Sequence, residues 1–426
     1  MIAETSRSGN PLADGAGPGE RVGAIGGTED LAPPGSPDRF EPDAPDWLHD
    51  AVDYFQIDHR LGDEDAFRRL LESAHARGIR IVLDGVFNHC GDAHPYFRDV
   101  TVNEARSEYV NWYSVDGFPV VSEPTPNYRT FADCANLPKW NVYNPLVRRH
   151  HLEVARHWLE LGIDGWRLDV PWLVPRGFWT EFRRLVKQIN PGAYIVAEEW
   201  RQPEPWLQGD TCDGTMNYAP REPVLEFTAD GSIDAAQLAD RVNSLFARIP
   251  AGFQRGLLNL LGSHDTERVT TRHGGQTGRC LLAHALIFGC AGTPMLYYGD
   301  ELGLRGGGDP GCRGAMPWNS AGWPEDFLAS IRALAQARRE SAPLRRGSQE
   351  VLALGPDTVA VRRELDGEVA AVIAHRGGGV AIDPCQLGLG PARVLCGGAE
   401  VRAGRYTLEP DSFLALAGPA LPHQRS

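Results

Sequence analysis

Four apolar runs in this sequence close on side chains that could do chemistry. Ile81–Leu83 leads into Asp84, Asn88 and His89; Trp166–Leu168 encloses Arg167 and ends at Asp169. Ile195–Ala197 ends at Glu198, and Leu258–Leu261 runs into Gly262, Ser263, His264 and Asp265. Parallel barrels gather their reactive groups at the C-terminal ends of strands, so these positions would share one rim. Carboxylates meeting there suit a sugar reaction, in which one attacks the anomeric carbon while a protonated one donates to the leaving oxygen. A single strand-end acid is as readily a helix cap or a surface ion pair. Four such ends, two with adjoining histidines, are harder to explain that way.

The elements that would position them alternate. Asp65–Arg77 places Phe67, Leu70, Leu71 and Ala74 at helical spacing, Gly78 ends that helix, and Ile79–Leu83 reads as a strand. The spacing then predicts helix 146–161, strand 165–170, helix 178–189 and strand 193–197. A short strand at 213–217, a strand at 257–261, helix 280–288, strand 294–298 and helix 325–338 follow. Strands alternating with helices predict an α/β chain with a parallel sheet, a (β/α)8 TIM-type barrel of which six strands are visible. Residues 90–145 hold Pro, Asn and aromatics without clear periodicity and read as a loop excursion over the barrel mouth. Residues 1–46, rich in Gly, Pro, Ala and Asp, predict a poorly structured segment, leaving 47–344 for the barrel. From 345 to 426, short alternating runs such as Thr358–Arg363, Glu368–Ala374 and Arg393–Leu395 predict a small C-terminal antiparallel β domain.

Composition narrows the partners. With 56 acidic and 42 basic residues the formal net charge is −14, which repels nucleic acid and anionic membrane surfaces and favours a neutral substrate. Eleven Trp and eleven Tyr offer flat faces suited to sugar rings. Eight cysteines without a C-x-x-C pair argue against a zinc or redox site and suit a reduced cytosol. No apolar run approaches a membrane span and Met1–Asn10 lacks a signal-peptide pattern, so the expected location is cytoplasmic.

These residues resemble the α-amylase family of glycoside hydrolases. Its signature stretches are matched, in family order, by Asp84-Gly-Val-Phe-Asn-His89, Gly165-Trp-Arg-Leu-Asp169, Glu198-Glu-Trp200 and Leu261-Gly-Ser-His-Asp265. Pro294-Met-Leu-Tyr-Tyr-Gly-Asp-Glu301 and Asp309-Pro-Gly-Cys-Arg313 extend the match. Leu137-Pro-Lys-Trp-Asn141 looks like the fifth signature stretch of the cyclomaltodextrinase, neopullulanase and maltogenic amylase group. The resemblance implies retaining hydrolysis of α-1,4 links in maltodextrins or cyclodextrins, with Asp169 as nucleophile, Glu198 as general acid and Asp265 gripping sugar hydroxyls. Arg167, two residues before Asp169 on the same strand face, would keep the nucleophile ionised, whereas Glu198 needs a raised pKa. His89, His264, Asn88, Lys139, Trp200, Asp309 and Arg313 are the implied substrate-binding residues. Glu199 alternates to the opposite strand face and Asp84 is a candidate support. The mechanism requires no metal; some family members bind Ca²⁺ near the asparagine of the first motif, here Asn88, which leaves calcium open.

The match weakens at the start. The family's first strand, first helix and second strand have no counterpart in residues 1–46, and its Tyr-Asp-Thr reads His49-Asp50-Ala51 here. The sequence therefore predicts a truncated or frame-shifted reading of a longer enzyme, poorly soluble and weakly active. The N-terminal β domain through which many relatives dimerise is not seen either, and the oligomeric state stays open. An α-glucosidase or glucan transferase would use the same residues, and a truncated relative could bind glycans without catalysis.

Overall fold

The computed structural model describes residues 51–422; the expectations for residues 1–46, His49 and Asp50 fall outside the described residues. Six parallel strands, β1 (Val82–Gly85), β2 (Gly165–Leu168), β3 (Tyr194–Glu199), β4 (Gly214–Asn217), β5 (Leu258–Leu260) and β6 (Thr293–Met295), lie side by side in chain order. Parallel neighbours need crossovers, and helices supply most of them. α1 (Glu64–His75) precedes β1, α2 (Pro145–Leu161) joins β1 to β2, and α3 (Arg176–Ile189) joins β2 to β3. α4 (Ala235–Ala247) and α5 (Thr277–Gly289) serve β5 and β6, and α6 (Glu325–Glu340) follows the last strand. This is the β/α barrel fold that the alternation predicts, with six strands among the described residues.

Local chemistry sets the boundaries. Asp63 caps α1 by accepting from the Ala66 N–H at 2.8 Å, with Glu64 and Asp65 in the first turn facing the positive helix end. Asn144 and Pro145 open α2, and Gly162, at φ 116°, closes it. β1 begins at Val82 rather than Ile79, because Ile79 lies exposed in the turn after Gly78. The 90–145 excursion contains two elements that its sequence conceals: a nine-residue helix, Pro95–Asn103, and a hairpin pairing Thr130–Phe131 with Cys134–Pro138. α4 also went unpredicted.

After the barrel, β7 (Ser348–Gly355), β8 (Thr358–Leu365), β9 (Glu368–His375), β10 (Arg393–Gly397) and β11 (Ser412–Pro419) form an antiparallel sheet in the order β10-β11-β9-β8-β7. It packs on α5, where Gly289 sits against Val361 and Val372. Two buried guanidiniums fasten the joint. Arg338 of α6 donates to the carbonyls of Phe288 (2.6 Å), Cys290 (3.1 Å) and Gly292. Arg363 of β8 donates to those of Gly289, Leu344, Gly347 and Ser348, all within 2.8–2.9 Å. Burial pushes both down to about 10, so both stay charged at neutrality and are solvated by main-chain carbonyls.

Between the excursion and α2, Tyr54 and Trp140 are ringed by His94, His150 and His151. Burial pushes His94 down to about 3 and His150 to about 4, and His151 lies well below the usual histidine value for the same reason. A folded-state pKa below the unfolded one means that the unfolded chain binds more protons, so stability is lost as pH falls below about 6.5. Each such histidine contributes up to about 1.4 kcal/mol per pH unit between that value and its folded pKa. The urea midpoint is expected to fall steeply between pH 7 and 5, and His150→Phe to flatten that slope. Parallel slopes in the two proteins would remove His150 from the account.

Candidate active site

Strand register assembles the centre. In the β1–β2 pairing Asp84 lies directly opposite Arg167, and Arg167 and Asp169 sit two residues apart on one face of the chain. One Arg167 nitrogen, Nη1, donates to both Asp84 oxygens at 2.8 and 2.9 Å and to Asp169 Oδ1 at 2.6 Å. Its other terminal nitrogen, Nη2, lies 3.1 Å from Glu198 Oε2. A single guanidinium therefore holds the carboxyls that end β2 and β3, with Asp84 fixing the guanidinium from the far side. Asp169 and Glu198 are both buried. Gly165, at the start of β2, makes this close strand pairing feasible, since a Cβ there would fall 2.1 Å from the Tyr194 carbonyl oxygen.

Glu198 receives donors on both oxygens. The Val170 N–H reaches Oε2 at 3.0 Å and the Trp200 indole N–H reaches Oε1 at 3.0 Å. Burial raises its pKa, but the Arg167 charge, these two donors and His264 together outweigh burial and hold it below the ordinary carboxylate value. This departs from the raised pKa that the role of general acid requires of Glu198 in the sequence reading. The neighbouring Asp265 goes the other way, pushed up to about 6 by burial and the Glu198 charge against the pull of Arg167 and Arg313.

Asp265 carries His264 Nε2 at 3.3 Å and Arg313 Nη2 at 3.5 Å. Burial, with Arg167 and Arg313 nearby, pushes His264 down to about 4, so its imidazole is neutral at pH 7. Arg313 also pairs with Asp309 at 2.8 Å and donates to the His264 carbonyl at 3.1 Å, tying the Asp309–Arg313 loop to the end of β5. Lys139 is backbone-paired with His89 and sends Nζ to the Leu173 carbonyl at 3.0 Å. That contact straps the excursion to the turn after the nucleophile.

Asn88 stands apart from this group. It is fully buried behind His89, donating its amide to His89 Nδ1 at 3.2 Å, which leaves Nε2 of the ring to carry the N–H. Its Oδ1 has no partner, yet no cluster of three or more His, Cys, Asp or Glu suited to a metal exists among the described residues. Glu199 turns away from Glu198 to accept from the Arg201 and Gln202 N–H groups and the Trp206 indole.

Three contributors escaped sequence reasoning. Tyr218, one residue beyond β4, stacks under Trp200 with ring centroids 3.8 Å apart. Phe131 of the excursion hairpin lies flat on His89 at 4.4 Å. The Val170 N–H is a main-chain group. Inspecting the end of β4 as closely as its neighbours could have found Tyr218; nothing in the sequence pairs Phe131 with His89.

A parallel β/α sheet that brings two carboxyls onto one guanidinium at adjacent strand ends defines a barrel with a carboxylate-pair site. Residues 40–342 match the family model for the α-amylase catalytic domain. The chain belongs to the α-amylase family. It is 39% identical to a cyclomaltodextrinase of Geobacillus thermopakistaniensis over 80% of this chain and 58% of that protein. It is 42% identical to neopullulanase 2 of Thermoactinomyces vulgaris over 77% and 57%. It thus spans less than two thirds of these curated relatives' length. Among solved structures, the ligand-free cyclic α-maltosyl-(1→6)-maltose hydrolase of Arthrobacter globiformis is similar with TM-score 0.83 and 55% identity, covering 88% of this chain and 83% of that one.

Proposed function

We propose that this protein hydrolyses α-1,4-glucosidic bonds in short maltodextrins or cyclic glucans with retention of anomeric configuration. The observation that carries the reading is the shared guanidinium holding Asp169 and Glu198. Asp169 attacks the anomeric carbon while Glu198 protonates the departing glucosidic oxygen. Glu198 then takes a proton from water, whose oxygen displaces Asp169 and leaves the α-anomer. This requires a carboxyl separation of roughly 5–5.5 Å in the substrate complex. It also requires Glu198 to gain a proton, which sugar binding promotes by excluding water and adding to the burial that already opposes its charge. Asp265, His89 and neutral His264 grip hydroxyls of the distorted ring, and Trp200 and Lys139 border the site. No metal step is needed.

The substrate class draws support from the relatives named cyclomaltodextrinase and neopullulanase and from the Arthrobacter globiformis hydrolase of a cyclic maltosyl-maltose. A cytoplasmic location draws support from a relative named intracellular maltogenic amylase in Bacillus subtilis. No described helix is long and apolar enough to cross a membrane.

Maltotriose is the discriminating substrate. Early-time proton NMR is expected to show released sugar as the α-anomer, and product analysis to show glucose and maltose without longer chains. The β-anomer appearing first would rule out the covalent route, and accumulating longer oligosaccharides would make the protein a transferase.

A further inference from the structure

Val170 directly follows the nucleophile and sits at φ 33°, ψ 52°, in the left-handed region. Seven non-glycine described residues have positive φ, and Val170 alone among them is β-branched. That conformation is an outlier for valine, strained where a glycine would not be. The surroundings enforce it. The Asp169 N–H is held by the Gly85 carbonyl at 3.2 Å, and the Val170 carbonyl accepts from the Leu173 N–H at 3.0 Å. Beyond it, the Pro171 carbonyl accepts from the Trp179 indole at 2.9 Å, and the Leu173 carbonyl from Lys139.

The Val170 N–H donates to Glu198 Oε2. The two oxygens of Glu198 are thereby made unequal. Oε2 faces a backbone amide and a guanidinium, neither of which can accept a proton or leave. Oε1 faces the indole of Trp200, a half-buried side chain rather than a main-chain group or a shared cation. An acid that must give up and retake a proton needs one oxygen released from fixed donors.

We propose that Val170 is a positioning residue: its main-chain N–H, beside the Arg167 guanidinium, pins Oε2 of Glu198 as the oxygen that never carries the proton, so Oε1 is the one that exchanges it with the glucosidic oxygen and water. The assignment rests on reading Glu198 as the acid. The fixed amide also stabilises the carboxylate left behind after proton donation, when negative charge develops on Glu198.

The direct test replaces the peptide bond between Asp169 and Val170 by an ester in the full chain, incorporating 2-hydroxy-3-methylbutanoic acid at position 170 by nonsense suppression. The side chain and backbone path are kept and only the N–H is lost. The basic limb of kcat/KM on maltotriose is expected to rise by about one pH unit, with kcat roughly tenfold lower. Val170→Gly, which keeps the N–H, is expected to keep the parental limb. An ester enzyme whose limb does not move overturns the proposal, even if its activity drops, since loss of packing alone would not shift the limb. The same question is answered without the ester by following the Val170 amide in ¹⁵N-valine-labelled protein, assigned by its loss in Val170→Ala. Its proton is expected downfield, titrating with the basic limb and shifting upfield in Glu198→Gln. An amide insensitive to pH and to Glu198→Gln overturns the proposal. Near-parental turnover by Glu198→Gln would instead defeat the reading of Glu198 itself.

Discussion

Glu198→Gln is expected to lower kcat on maltotriose by about 10³-fold or more while leaving glucan affinity within a few-fold of the parent. The amide is nearly isosteric. Its oxygen can still accept from the Val170 N–H and face Arg167, so the turn after β2 and the guanidinium stay in place. What disappears is the proton that the leaving oxygen needs and the base that later activates water. Binding measured by calorimetry with maltotriose, beside turnover of the same preparation, separates the two effects. Retention of more than a tenth of parental kcat would assign the acid to another residue, and Asp265, whose carboxyl is pushed up to about 6, would be the first alternative.

Arg167→Met is expected to be the more damaging change overall. It leaves Asp84, Asp169 and Glu198 around a methionine with their shared counter-charge gone. Removing one partner of a buried ionic cluster typically costs about 3–5 kcal/mol, unless the orphaned carboxyls take up protons. Protonating Asp169 would abolish its nucleophilicity, so kcat/KM should fall by at least about 10³-fold at neutral pH. The pH dependence of stability identifies the cause. In the parent the Glu198 pKa lies below its unfolded value of 4.5, so that contribution is present above pH 4.5 and is lost as pH falls further. Without Arg167 burial dominates, the folded value rises above the unfolded one, and the sign reverses. Urea midpoints of the variant relative to the parent should drop as pH rises from 5 to 8. A difference independent of pH would show that the guanidinium acts through packing.

The sequence carries the barrel legibly because each buried parallel strand reads as a short apolar run and each crossover as a 3.6-residue period. β2, β3 and β5, buried on both faces, are read within two residues at each end. α4 was missed although its Asp234–Gln237 capping box was available to be read. The helix Pro95–Asn103 was missed for a physical reason, since Tyr, Phe, Thr and two valines have indifferent helix propensity and its stability comes from aromatic packing with the excursion. At the site, residue types and spacing indicate which side chains reach the rim. They do not indicate direction of ionisation. The low pKa of Glu198 follows from a main-chain donor in the turn after β2 and from an arginine that serves two strands at once, and neither is visible until the register Asp84–Arg167–Val196 is known. Asn88 shows the converse, since its place in a motif suggested contact with sugar whereas burial assigns it to orienting the ring of His89.

The paired guanidiniums of Arg338 and Arg363 bear on how the molecule opens. Between them they occupy carbonyls of Phe288, Gly289, Cys290 and Gly292, where α5 ends and the chain turns into β6. Separating the antiparallel sheet from the barrel would strand two cations among carbonyls made for them and would uncap α5 in the same event. The C-terminal sheet, α5 and α6 therefore form one cooperative unit in exchange with solvent, and their slow amides should report a common opening free energy rather than a graded series.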